Sequence, residues 1–288
     1  MDNKKVWFVT GASKGFGLTL VNQLLQQGNL VAATSRNSDE LRRAVGTDDA
    51  RFLPLTVDLV TETSVADAVR ATVERFGRID VVVNNAGYGL VGGLEELTDR
   101  EVRANFDVNV FGTLNVIRHV MPHLRKQQSG HILNISSIAG FLGSYPGFGS
   151  YCATKFAVDG LSESLAAEVS AFGVTVTIVS PGYFRTSFLT EGSFATPENA
   201  MDAYESVRQM QRMHQSEING NQPGDPEKAA AAMIHITNVP NPPLHLFLGQ
   251  DAYSGAYAKI NAVQSDLENW KAVTTATDFD VPEAVVQV

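Results

Sequence analysis

The sequence predicts an α/β fold: one doubly wound parallel sheet of seven strands, helices on both faces, and a helical extension after the last strand. Three observations carry that expectation. Short apolar, β-rich runs alternate with stretches of helical periodicity along most of the chain. The first such run passes through a glycine-rich turn directly into a helix. A length of 288 residues with 44% apolar content suits one large domain with an ordinary core.

The first run, Lys5–Thr10, reads Lys-Val-Trp-Phe-Val-Thr, as a buried strand should. The helix near 15–27 places Leu18, Val21, Leu24 and Leu25 on one face. Between them Gly11, Gly15 and Gly17 are spaced Gly-x-x-x-Gly-x-Gly, with Ser13, Lys14 and Phe16 filling the turn. A strand, a glycine turn and a helix start form an anion site, because backbone N–H groups and the helix dipole point at a phosphate. The bland alternative is a turn with no ligand. The second strand, 30–35, ends at Ser35 and is followed by Arg36. In NAD-binding folds that strand end usually carries an acid for the ribose 2′-hydroxyl. An arginine there suits a 2′-phosphate, and Lys14 adds a second cation in a chain of net charge −9. NADP(H) is therefore expected in preference to NAD(H).

Further strands are expected near 52–57, 79–84, 131–136, 174–180 and 244–248. Helices are expected near 38–45, 63–76, 98–127, 150–172 and 226–236. Ligands of such a sheet gather at the carboxyl ends of the strands. Tyr151 and Lys155 lie four apart in the helix near 150–172, which puts them on one face. A nearby cation lowers a phenol's pKa from about 10, making the pair a candidate proton donor and acceptor. Alone, the spacing is common in helices.

Taken together these residues resemble the short-chain dehydrogenase/reductases, over nearly all of 5–249. Thr10-Gly11-x-x-x-Gly15-x-Gly17 matches the cofactor turn, and Asp58, followed by Leu59, matches the acid that meets adenine. Asn84-Asn85-Ala86-Gly87 matches the motif that ends the fourth strand. Asn109, Ser137, Tyr151 and Lys155 match the catalytic tetrad; Pro181-Gly182 and Thr186 match the segment over the nicotinamide. The resemblance implies a Rossmann-like catalytic domain over 1–249. It also implies that Tyr151 is the acid, Lys155 the ribose ligand that lowers its pKa, Ser137 the substrate's hydrogen-bond partner, and Asn109 the holder of a water. Ser136 and Ser137 are adjacent in a strand end, so they point apart; Ser137 is assigned to the site and Ser136 to a backbone cap.

Residues 183–225 are the least regular stretch, with a helix expected around 197–215, and resemble the family's substrate lid. Tyr183, Phe184 and Phe188 from it, with Phe141, Leu142, Tyr145 and Phe148 before Tyr151, are expected to line an apolar pocket for a small carbonyl substrate. Any one of these aromatics alone reads more simply as packing. The helices near 98–127 and 150–172 usually form a homodimer interface in the family; the bland reading is that they only cover the sheet. Residues 250–288 read as an amphipathic helix, Asp251–Ala272, that packs on the body or on a partner subunit, followed by a loose tail from Thr274.

Composition bounds the rest. One cysteine, Cys152, precludes an internal disulfide and fits a reducing compartment. The first strand starts within about five residues of Met1, leaving no room for a signal peptide. No apolar run approaches the ~18–20 residues of a membrane helix, and the acidic balance argues against nucleic acid. A cytoplasmic protein is expected. His119 and His123 lie at i and i+4, but no third ligand is evident, so no metal is expected. The function expected is NADPH-dependent reduction of a ketone or aldehyde. The alternatives are NADP⁺-dependent oxidation of a steroid- or retinoid-like alcohol, and a non-enzymatic NADP(H) sensor.

Overall fold

The computed structural model describes residues 4–190 and 192–279. Its strands are β1 (Val6–Val9), β2 (Leu30–Ser35), β3 (Phe52–Thr56), β4 (Val81–Asn84), β5 (Gly89–Leu90), β6 (Gly130–Ile135), β7 (Val174–Pro181), β8 (Phe194–Ala195) and β9 (His245–Leu248). Seven of them form one parallel sheet in the order β3-β2-β1-β4-β6-β7-β9. β5 and β8 pair separately beside it. Both faces of the main sheet are covered, so its central strands carry apolar side chains in succession: Phe8, Val9, Val82 and Val83 are all fully buried.

The helices are α1 (Gly15–Gln26), α2 (Ser38–Val45), α3 (Glu62–Phe76), α4 (Asp99–Phe106), α5 (Gly112–Gln127), α6 (Gly149–Val169), α7 (Glu205–Arg212), α8 (Pro226–Ile236) and α9 (Gln250–Thr275). α1, α2 and α8 seal one face, with Leu20, Leu24, Leu41 and Met233 in its core. α3, α5 and α6 seal the other, around Val69, Val116, Leu124 and Leu165. The strand order reverses between β1 and β4, the switch point at which a crevice opens beyond the strand ends.

Three elements differ from the sequence expectation. The long helix expected over 98–127 is interrupted by a π-helical turn at Asp107–Phe111, which joins α4 to α5. The widened turn carries Asn109, whose side chain bonds to two other segments. The helix expected around 197–215 starts only at Glu205 and passes into a second π turn, Met213–Ile218. Residues before it are held from outside instead: Glu198 N–H donates to Glu101 and Met201 N–H to Glu96. Third, α9 does not lie along the body. Only Ala252 and Ala256 of it are buried, against Ile138, Phe141, Leu142 and Phe247. Tyr253, Tyr257, Ile260, Val263, Leu267 and Trp270 are exposed. Of the tail expected from Thr274, Thr274 and Thr275 still belong to α9, and the part beyond Phe279 lies outside the described residues.

No helix among the described residues is long and apolar enough to cross a membrane.

Candidate active site

Polar side chains set the strand ends before any ligand is considered. Thr10 Oγ1 at the end of β1 accepts from the N–H groups of Asn85 and Ala86 at 3.0 and 3.1 Å. Asn85 Nδ2 donates back to the Thr10 and Gly11 carbonyls, both at 2.9 Å. The glycine turn is thereby stitched to the end of β4. Gly11 sits at φ +63°, and a Cβ there would lie 2.7 Å from Ala86 Cα. Only glycine permits both that conformation and that approach. One layer back, Asn84 Nδ2 donates to Asn134 Oδ1 at 2.8 Å and Asn134 Nδ2 to Ser162 Oγ at 2.7 Å, tying β4, β6 and α6 together.

A cavity of about 610 Å³ fills the crevice. Gly11, Ser13, Lys14, Gly15 and Phe16 line it from the glycine turn, Ser35 and Arg36 from β2, and Asp58 and Leu59 from beyond β3. Asn85, Ala86 and Gly87 line its floor, and Pro181, Gly182 and Thr186 its opposite wall. Gly17 does not face it; a Cβ there would lie 2.5 Å from the Gly11 carbonyl oxygen, so this glycine serves the tightness of the turn. The first turn of α1 has no side-chain cap, which leaves its N–H groups pointing into the crevice. Ser35 is spent on its own turn, bonding Asn37 N–H and carbonyl. Arg36 is exposed and makes no hydrogen bond or ion pair among the described residues. Lys14 runs toward the loop at Gly192.

At the other end Ser137, Tyr151 and Lys155 share the cavity wall. Ser137 Oγ accepts from Ala139 N–H at 3.1 Å. Lys155 Nζ donates to the Ile135 carbonyl at 2.9 Å and stands 5.7 Å from the Tyr151 ring centre. Asn109 lies behind them, 1% exposed and off the wall. Its Oδ1 accepts from Tyr88 N–H at 3.0 Å, and its Nδ2 donates to the Tyr88 carbonyl and to Thr154 Oγ1, both at 3.0 Å.

The electrostatics correct one expectation. The Tyr151 pKa does not lie below the ordinary phenol value. Burial raises it well above the ordinary phenol value, with the Ser137 hydroxyl partly opposing. Burial likewise pulls the Lys155 ammonium down to about 8, with Asp159 opposing. Desolvation outweighs a lysine that is itself desolvated and bonded elsewhere. Ser136 is also corrected: it caps no backbone, and its hydroxyl faces the Asp159 carboxylate instead.

The apolar half of the cavity is built by Tyr145, Tyr183, Phe184 and Phe188. The Phe188 ring stands 5.8 Å from Tyr151, and Phe184 meets Phe16 at 5.2 Å. Phe141 and Leu142, expected beside them, are off the cavity wall and pack with Ile138 and Phe247 against Ala252 and Ala256 of α9. Phe148, expected on this wall, links Tyr151 to the lid. One wall residue carries no signal in the sequence: His214, 2% exposed in the second π turn. A single histidine in an irregular stretch has no spacing to mark it. Cys152 is buried, and burial raises its thiol to about 11, as for a packed residue. His119 pairs with Glu62 at 3.2 Å.

Residues 5–195 match the model of the short chain dehydrogenase family, and the chain belongs to that family. It is an oxidoreductase acting on CH–OH or C=O groups. It is 33% identical to the oxidoreductase BOA17 of Botryotinia fuckeliana, covering 95% of this chain and 99% of that one. It is 38% identical to a 3-ketodihydrosphingosine reductase of Bacteroides thetaiotaomicron, covering 85% and 88%. The crystal structure of a short-chain dehydrogenase from Streptomyces avermitilis superposes with a TM-score of 0.88 at 38% identity, covering 96% of this chain and all of that one. Solved structures 26 and 25% identical to this chain carry NADP and NADH.

Proposed function

We propose that the chain reduces the carbonyl group of an apolar ketone or aldehyde with NADPH, and that Tyr151 is the acid. The observation that carries this reading is one cavity with a glycine turn and Arg36 at one end and Ser137, Tyr151 and Lys155 at the other. The residues present fit the dinucleotide. The turn and the uncapped start of α1 suit its pyrophosphate. Arg36 and the absence of an acid at the end of β2 suit a 2′-phosphate, and Pro181, Gly182 and Thr186 suit the nicotinamide. When bound, the nicotinamide supplies the hydride that goes to the carbonyl carbon.

The chain's own residues handle the proton. Ser137 donates to the carbonyl oxygen and holds it near Tyr151. As negative charge builds on that oxygen, Tyr151 transfers its hydroxyl proton to it. Burial keeps that proton on the phenol at neutral pH, the form that can donate it. Lys155 is placed to bind the ribose and to answer the transient phenolate with its charge. Both Asn109 amide hydrogens are engaged, so the water assigned to this residue would donate to one of its oxygens: Oδ1, which among the described residues accepts only from Tyr88 N–H, or the backbone carbonyl, which accepts from Thr113.

The test follows NADPH absorbance across a panel of ketones, aldehydes and diketones, with NADH in parallel. Tyr151→Phe is expected to cut turnover by about 10²–10⁴ while NADPH still binds. An active variant refutes the acid assignment. Arg36→Asp is expected to reverse the preference between the two cofactors; an unaltered preference refutes the 2′-phosphate reading.

A further inference from the structure

Neither the glycine turn nor the proton transfer uses the pair Tyr183 and His214, although both line the cavity. The Phe148 ring separates them from Tyr151: its centre lies 6.3 Å from that of Tyr151 and 4.8 Å from that of His214. His214 Nδ1 lies 2.8 Å from the Met210 carbonyl, and its Nε2 lies 2.8 Å from Tyr183 Oη. A carbonyl only accepts, so Nδ1 must carry the hydrogen. Burial holds the ring neutral by lowering its pKa. Nε2 is therefore a bare lone pair, and the Tyr183 hydroxyl donates to it. The opposite tautomer would set a lone pair against the Met210 oxygen. Rings of Phe148 and Phe194 pack the imidazole, which fixes the arrangement.

The consequence is a tyrosine whose one proton is committed. An ordinary tyrosine donates or accepts as a ligand requires; this one can only accept. Tyr145 lines the same cavity, and its hydroxyl makes no bond among the described residues, so it remains free to donate. A hydroxyl group set between the two would donate to Tyr183 and accept from Tyr145. A distal carbonyl or ether would meet the Tyr183 oxygen with a second oxygen and no proton between them.

We propose that Tyr183, locked by His214, is a second recognition point for the substrate. It selects carbonyl compounds that carry a hydrogen-bond donor, a hydroxyl above all, away from the reacting carbonyl. The inference rests on the reductase reading for the identity of the reacting end, and its test is separable from that reading.

Two trios of probes are used: 4-acetylbiphenyl with its 4′-hydroxy and 4′-methoxy derivatives, and acetophenone with its 4-hydroxy and 4-methoxy derivatives. Dissociation constants are measured by calorimetry on the protein loaded with NADP⁺, which cannot reduce a ketone. In at least one trio the hydroxy member is expected to bind about tenfold tighter than the methoxy member, the scale of one uncharged hydrogen bond. In Tyr183→Phe that ratio is expected to fall to about one. In His214→Phe the freed Tyr183 hydroxyl can donate, so the methoxy member gains and the ratio again collapses. A merely structural role would weaken all members alike. No preference for the hydroxy member, including no binding by any probe, overturns the inference, as does a preference that survives Tyr183→Phe. Turnover with NADPH is scored separately: preference without turnover overturns the reductase reading alone.

Discussion

Lys155 and Asp159 lie one helical turn apart on the buried face of α6, and each moderates the cost of the other's burial. Burial raises the Asp159 carboxyl from 3.8 to about 6, opposed by the Ser136 hydroxyl, Lys155 and His245 and reinforced by Glu163. At this carboxyl the native state therefore holds more of a proton than the unfolded chain does between about pH 4 and 6. The Asp159 contribution to stability falls as pH climbs through that window and stays lost above it. A rise from 3.8 to about 6 corresponds to about 3 kcal/mol across the window. Asp159→Asn is expected to remove this slope, read as the unfolding free energy by denaturant at several pH values. A wild-type slope that persists in the variant would refute the assignment. The same substitution strips Lys155 of its favourable neighbour, so the Lys155 pKa is expected to drop further below about 8. The alkaline limb of the rate profile should move to lower pH with it.

At the level of elements, the lid is fastened rather than merely folded. Glu96 has a fully buried side chain; it accepts from Gly93 N–H at 2.6 Å and Met201 N–H at 2.7 Å and pairs with Arg208 of α7. Gln211, also on α7, donates to the Val91 carbonyl at 2.6 Å. Arg208→Met leaves the carboxylate buried with backbone partners only. It is expected to cost about 2–3 kcal/mol, somewhat under the usual figure for a buried pair because the arginine keeps some exposure. The readouts are a lower melting temperature and a raised KM with kcat little altered; unchanged values for both would contradict the latch. Such fastenings explain what the sequence conceals. The strands and the glycine turn announce themselves through local residue type and period. So do Tyr151 and Lys155, four apart on one helix. The latch joins Glu96 to Met201 and Arg208, and Asp251 caps Tyr183 N–H at 2.6 Å, pairs far apart in the chain that no local pattern marks. Phe141 and Leu142 were equally plausible as cavity wall until the base of α9 took them. The sign of the Tyr151 shift required knowing that burial, absent from any motif, outweighs the lysine.

Across the whole molecule, α9 has two parts with different work. Its first two turns brace the site: Asp251 holds the backbone at Tyr183, and Ala252 and Ala256 pack over Ile138 and Leu142. Beyond them the helix runs on with Ile260 48%, Leu267 59% and Trp270 63% exposed along one stripe. A stripe of that size left in water is unfavourable, and a long solitary helix is weakly stable. The charges of this outer part balance, Lys259 and Lys271 against Asp266 and Glu268, so a second copy of it meets no net repulsion. Two truncations separate the parts. Ending the chain after Ala258 is expected to keep the body's melting temperature but to lower the mass measured by light scattering. Ending it after Gly249 is expected to lower the melting temperature as well, because the brace is gone and the Tyr183 N–H loses its acceptor. Unchanged mass after the first cut would show that the stripe holds no subunits together. Unchanged melting after the second would show that Asp251 and the two alanines contribute nothing to the wall that carries Tyr183.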